Sequence, residues 1–143
     1  MADVKTGKSS KGKEMHYSVG VVIKKNEKYL LVDRRKKPLG FAGVAGHVDE
    51  GENETHALIR EIKEESGLKV KSYRLIFEEE VEGNVCRRGV EVHYWWLYKV
   101  DAEGKLRLKP DEAKSIGWYS AEEIKKLKLE PVWEYWFKKL GVI

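Results

Sequence analysis

The sequence has 143 residues, 41% of them hydrophobic and 36% charged, with a formal net charge of +4. That is enough chain for one compact domain with a buried core, and too apolar a chain to stay disordered throughout. No apolar run approaches the ~20 residues of a membrane helix, and residues 1–13 lack the apolar centre of a secretory signal, so the expectation is a cytoplasmic protein without a membrane partner.

Residues 1–14 are mostly Lys, Ser and Gly and read as a disordered basic tail, with a single domain over 15–143. Tyr17 to Lys24 and Lys28 to Arg34 are short, apolar and β-branched, with Lys25-Asn26-Glu27 between them as a turn, and so form a strand pair. A Gly-rich passage from Pro38 to Val48 leads into the acidic segment Asp49-Glu50-Gly51-Glu52. Asn53 is an N-cap, the residues from Ala57 to Ser66 carry helical spacing, and Gly67 ends the helix. Leu75-Ile76-Phe77 and Val90 to Val100 are extended, joined through Glu82-Gly83-Asn84, and the second of them is the longest strand expected. Ile116 to Tyr119 is another strand. Ser120 with Glu123 is a capping box, and Pro131 opens a last amphipathic helix through Trp133, Trp136, Phe137 and Leu140. Strands with one early helix and two late ones imply an α/β sandwich, a sheet covered on both faces.

At about 100° per residue the first helix places Glu61, Glu64 and Glu65 on one stripe, beside an apolar face of Leu58, Ile59 and Ile62. An acidic helix stretch is most often a solvated face. Here that reading carries a cost, because like charges at i, i+3 and i+4 repel and acids in the last turn oppose the helix dipole. A hard cation such as Mg2+ or Mn2+ removes the conflict, since such ions take oxygen ligands from carboxylates and substrate phosphates. Cys86, the only cysteine, lacks the Cys/His company of a zinc site and reads as structural. The lysines near both ends read as solvated faces rather than a nucleic-acid surface.

Gly46, five residues, Glu52, seven residues, Arg60-Glu61-Ile62, one residue, Glu64-Glu65, one residue and Gly67-Leu68 fill every specified position of the Nudix box, so the chain resembles the Nudix hydrolases. Chance agreement at that many positions is on the order of 10⁻⁸ per starting point. The resemblance implies an α/β/α sandwich with a mixed sheet and a loop-helix-loop metal site. In it Glu61, Glu64 and Glu65 match the magnesium ligands, and Glu52 pairs with Arg60 to brace the loop. It also implies a further ligand from the backbone carbonyl of Ala45, and a downstream acid that falls on Glu112, before Trp118. The family often has Pro-Gly before the box glycine where this chain has Val44-Ala45, which puts the turn and the Ala45 carbonyl in question.

The activity implied is metal-dependent hydrolysis of the pyrophosphate bond in a nucleoside diphosphate derivative, a small-molecule nucleotide. The metal neutralises phosphate charge and activates water, and Glu112 or one of the three helix acids takes the proton. Arg34 and Arg35, at the end of the second strand, are candidates for phosphate contacts. Tyr17, Phe41, Tyr94, Trp95 and Trp96 include candidates for stacking a base, although strand aromatics are usually core. The family's markers for diadenosine polyphosphates, ADP-ribose and coenzyme A are absent. By elimination the substrate leans to a nucleoside triphosphate, including an oxidised one, cleaved to monophosphate and pyrophosphate. An RNA 5′-end pyrophosphohydrolase and a catalytically silent nucleotide-binding regulator are the alternatives. Nothing in the sequence bears on oligomeric state.

Overall fold

The computed structural model describes residues 3–143. The elements are β1 (Thr6–Lys8), β2 (Glu14–Lys25), β3 (Lys28–Arg34), β4 (Gly40–Ala42), β5 (Ala45–His47), α1 (Glu54–Ser66), β6 (Lys69–Glu82), β7 (Val92–Glu103), β8 (Ala113–Ser120), α2 (Ala121–Ile124) and α3 (Pro131–Lys139). The expected strand pair is a hairpin of β2 and β3 with a two-residue turn at Asn26 and Glu27, both at positive φ, and Lys25 paired with Lys28.

The sheet is mixed. Its order is β4-β3-β2-β7-β6, with β2 and β7 parallel and the other pairs antiparallel, while β1 and β5 pair with β2 and β8 pairs with β3. β2 is central, so both its faces are buried from Val19 to Ile23, where its sequence is continuously apolar. Val19, Val21 and Ile23 point to one core, which α1 covers with Ala57, Leu58 and Ile62. Val22 belongs to the other core, which α3 covers with Trp133, Trp136 and Phe137. The result is the sandwich the periodicities implied. Among the described residues no helix is long and apolar enough to cross a membrane.

Two expectations need correction. The segment 1–14, expected to be a disordered tail, is ordered from Asp3 on, with Met1 and Ala2 outside the described residues. Thr6–Lys8 pairs antiparallel with β2, Lys5 N–H donates to the Val48 carbonyl (2.9 Å), and Ser10 donates twice to Glu80 (2.8 Å each). Its lack of apolar side chains is a poor guide because backbone ladder bonds, not side-chain burial, hold it on the strand edge. The longest strand is β6, with 14 residues against 12 for β7. Its Lys, Arg and Glu content hides it, since an edge strand carries charge that keeps other chains from pairing, and two register shifts break its alternation.

Candidate active site

The carboxylates are positioned by the way α1 begins and ends. The Asn53 side chain accepts the His56 N–H (2.8 Å), and Gly67 closes the helix in the left-handed region at φ 76°, its N–H bonded to the Lys63 carbonyl. With Leu58 and Ile62 fully buried, Glu61 and Glu65 are carried to the margin of the core beside β5. Gly46 is required there for space, since a Cβ on it would run into the Glu61 carboxyl. Arg60 organises the loop. It donates from Nε and Nη2 to the two oxygens of Glu52 (2.7 and 2.9 Å), from Nη2 to the His47 carbonyl (3.0 Å) and from Nη1 to Glu61 (2.7 Å). Glu52 in turn accepts the Asp49 N–H (2.9 Å). This forked pairing holds the Glu52 carboxyl below its ordinary range and ties the loop 49–52 to the helix.

The three helix acids differ in environment. Glu64 has a side chain 47% exposed, whereas that of Glu61 is 13% exposed. Burial raises Glu61 to about 7, with Arg60 opposing. Burial and the neighbouring Glu61 push Glu65 well above the carboxylate range, with Arg34 and the Ala45 N–H opposing. Glu112, from the loop before β8, adds to the pressure on Glu65 and pairs with Lys36 at 3.1 Å. The structure therefore brings Glu61, Glu64, Glu65 and Glu112 to one cavity, of about 410 Å³. Ala45 also lines it, and its N–H donates to Glu65 (3.3 Å). Ala45 lies in a strand, and neither it nor Val44 has positive φ, so this chain needs no glycine there.

Of the substrate candidates, Arg34 lines the cavity, with Nε donating to the Pro38 carbonyl (2.7 Å) and lying 3.5 Å from Glu130. Arg35 does not. It is exposed in the bend that follows β3, and its Nε donates to the Pro110 carbonyl (2.8 Å). Tyr17 is also misplaced as a substrate residue. It points to the opposite sheet face from Ser18, stacks on Trp96 (5.7 Å between centroids) and lies under the Lys5 ammonium. Trp95 is the candidate aromatic that lines the cavity, while Phe41 packs on Tyr119.

Other lining residues escaped the sequence reading. Lys37, Lys109, Arg87 and Arg88 bring positive charge to the cavity, and Asn84 and Glu130 are buried polar groups in its wall. Burial raises Glu130 to about 7 against the pull of Arg34. The reading of Cys86 as lacking Cys/His company is wrong. His16, His47 and His93 surround it, brought there by strand pairing rather than by sequence proximity. Burial, then the neighbouring imidazoles, lowers His47 to about 3, and burial likewise lowers His93 to about 4, so these rings are neutral. Paired carboxylates facing a cavity rich in cationic side chains suit a divalent ion and a polyphosphate.

The NUDIX domain family model matches residues 14–140, and the chain belongs to the Nudix hydrolase family. The ADP-ribose pyrophosphatase of Methanocaldococcus jannaschii is 30% identical over 125 residues, covering 81% of this chain and 69% of that protein. The 8-oxo-dGTP diphosphatase of Buchnera aphidicola is 43% identical over a shorter stretch of 60 residues, 39% of this chain and 45% of that protein's length. The crystal structure of a MutT NUDIX hydrolase from Burkholderia pseudomallei agrees in fold, with a TM-score of 0.68 at 24% identity over 76% of this chain and 85% of that one.

Proposed function

We propose that the chain hydrolyses the pyrophosphate bond of a small nucleoside diphosphate derivative, and that its preferred substrate is a nucleoside triphosphate, including an oxidised one, cleaved to monophosphate and pyrophosphate. The carrying observation is the meeting of Glu61, Glu64, Glu65 and Glu112 with Arg34, Lys37, Arg87, Arg88 and Lys109 around one cavity. Its volume of about 410 Å³ suits one nucleotide, which favours a small molecule over an RNA end.

The residues fit a divalent cation, Mg2+ or Mn2+. Glu64 raises Glu61 and Glu61 raises Glu65, each on top of burial, and a dication removes the penalty that burial and like charge impose. Glu61, Glu64 and Glu65 would hold the ion, with Glu112 and the Ala45 backbone beside them. When bound, it neutralises phosphate charge and lowers the pKa of the attacking water. The protein's own groups do the rest. Arg60, anchored by Glu52, fixes Glu61; Arg34 and Lys37 contact phosphate oxygens; Glu112 or one of the helix acids accepts the proton from water. Trp95 offers an apolar surface to a base, beside the buried Asn84 and Glu130, with Asn84 Oδ1 held by the Val132 N–H (3.1 Å).

The test is a panel with added magnesium: ordinary and oxidised nucleoside triphosphates, ADP-ribose, nucleotide sugars and 5′-triphosphorylated RNA, products resolved by chromatography. The proposal expects a triphosphate to give monophosphate and pyrophosphate at the highest kcat/KM. Faster cleavage of ADP-ribose or of RNA would overturn the substrate assignment, and no hydrolysis of any of them would overturn the activity.

A further inference from the structure

Four side chains from four separate segments meet beside the cavity, three of them, His47, Cys86 and His93, in its wall. One ligand atom from each of His16 (β2), His47 (β5), Cys86 (in the 83–91 loop) and His93 (β7) lies within 4.8 Å of the others. The register explains the meeting. His16 and His93 are direct partners in the parallel β2–β7 pairing, and His47 opposes Ser18, which shares a face of β2 with His16. Cys86 arrives on a turn closed by its N–H to the Val90 carbonyl (3.1 Å) and by the Gly89 N–H to its own carbonyl (2.8 Å).

An ordinary core histidine has hydrogen-bond partners for both ring nitrogens. His93 is 2% exposed, and its Nδ1 has no hydrogen-bond partner among the described residues. Leaving such a group unmet is costly, and a bound ion would satisfy it. The Cys86 sulfur lies 3.8 Å from His16 Nδ1. Tetrahedral zinc bonds of about 2.0–2.3 Å give ligand-to-ligand edges of roughly 3.3–3.8 Å, so this pair already has the spacing and the others need at most about 1.5 Å of closure. Across the His16 ring, Nε2 is 4.0 Å from the Glu14 carboxylate, on the side where metal-bound histidines find an outer acceptor.

We propose that His16, His47, Cys86 and His93 form a binding site for one zinc ion, closed by four protein ligands and separate from the carboxylates of α1. Imidazole and thiolate donors select a borderline-soft ion over magnesium, and a full set of four ligands makes the site structural. Occupancy ties the 83–91 loop to β2, β5 and β7, and so holds Arg87 and Arg88 at the cavity.

The chain, stripped of metal, is titrated with Co2+. Expected are a near-ultraviolet thiolate-to-cobalt band and strong visible bands of tetrahedral cobalt, saturating at about one equivalent. Zn2+ should abolish them, while excess Mg2+ or the Glu65→Gln change should leave them. Cys86→Ser should remove the thiolate band, and His16→Asn should weaken binding at least about tenfold. A weak octahedral spectrum, or one unchanged in Cys86→Ser, would overturn the proposal. Should the stripped chain unfold by circular dichroism, zinc content of the chain purified from zinc-supplemented cells decides. About one ion in the parent and less than about a fifth of that in Cys86→Ser supports the site, and equal contents overturn it.

Discussion

Glu61→Gln should make the metal-free protein more stable and the enzyme nearly inactive. In the parent, burial lifts Glu61 from an ordinary 4.5 to about 7. A carboxyl whose folded value is the higher one keeps its proton longer in the folded state, so stability falls as pH rises from about 4.5 and the loss is complete above about 7. At about 1.4 kcal/mol per pH unit, the interval sets a ceiling of roughly 3 kcal/mol at pH 8, shared with Glu65, because the two carboxyls titrate as a pair. Glutamine keeps the shape and can still accept from Arg60, but never ionises. Glu64→Gln is the internal control, since a side chain 47% exposed is screened and should shift stability by only a few tenths of a kcal/mol.

The assay is thermal melting in chelator at pH 5 and pH 8, then turnover in magnesium, for parent and both variants. The Glu61→Gln chain should melt up to about 10 °C higher than the parent at pH 8, with little difference at pH 5. In magnesium, turnover of either variant should fall by at least about a hundredfold, because charge stabilisation worth several kcal/mol rests on the ion these acids would hold. A Glu61→Gln chain less stable than the parent at pH 8 in chelator would refute the reasoning, since it would make the carboxylate a structural partner of Arg60 rather than a strained ligand.

Gly46→Ala should cost turnover at least about tenfold by displacing Glu61, with circular dichroism unchanged; parental turnover would mean that the Glu61 position does not matter. Glu112→Gln should lower kcat with the melting temperature nearly constant, because its ion pair with Lys36 is partly exposed, and unaltered kcat would leave the proton acceptor among the helix acids. Glu130→Gln should gain stability over the parent as pH rises from 5 to 8, by up to about 3 kcal/mol, since the parent loses stability while its buried carboxyl ionises near 7; a gain independent of pH would show that Arg34 already compensates the charge.

What the sequence displayed was whatever local spacing controls. The Asn53 cap, the Gly67 stop and the stripe of Glu61, Glu64 and Glu65 all follow from the 3.6-residue period of a single helix, and the structure has them where that period puts them. The pairing of Arg60 with Glu52 spans only eight residues and was readable from the same box. The errors begin where tertiary register decides. Tyr17 and Ser18 are adjacent in a strand, and only the sheet's packing determines that Ser18 faces the cavity while Tyr17 stacks on Trp96. The same holds with greater force for His16 and His93. They are far apart in sequence and become neighbours because β2 and β7 run parallel in one particular register, with His47 added by the antiparallel β5. A shift of either strand by one residue would turn its histidine to the opposite core. The metal-ligand spacings that can be found by reading along a chain are those formed within one turn or one helix, so a cluster assembled from four segments leaves no trace there. Its test therefore has to be made on the folded protein, by asking whether Cys86 and the three imidazoles respond to one ion together.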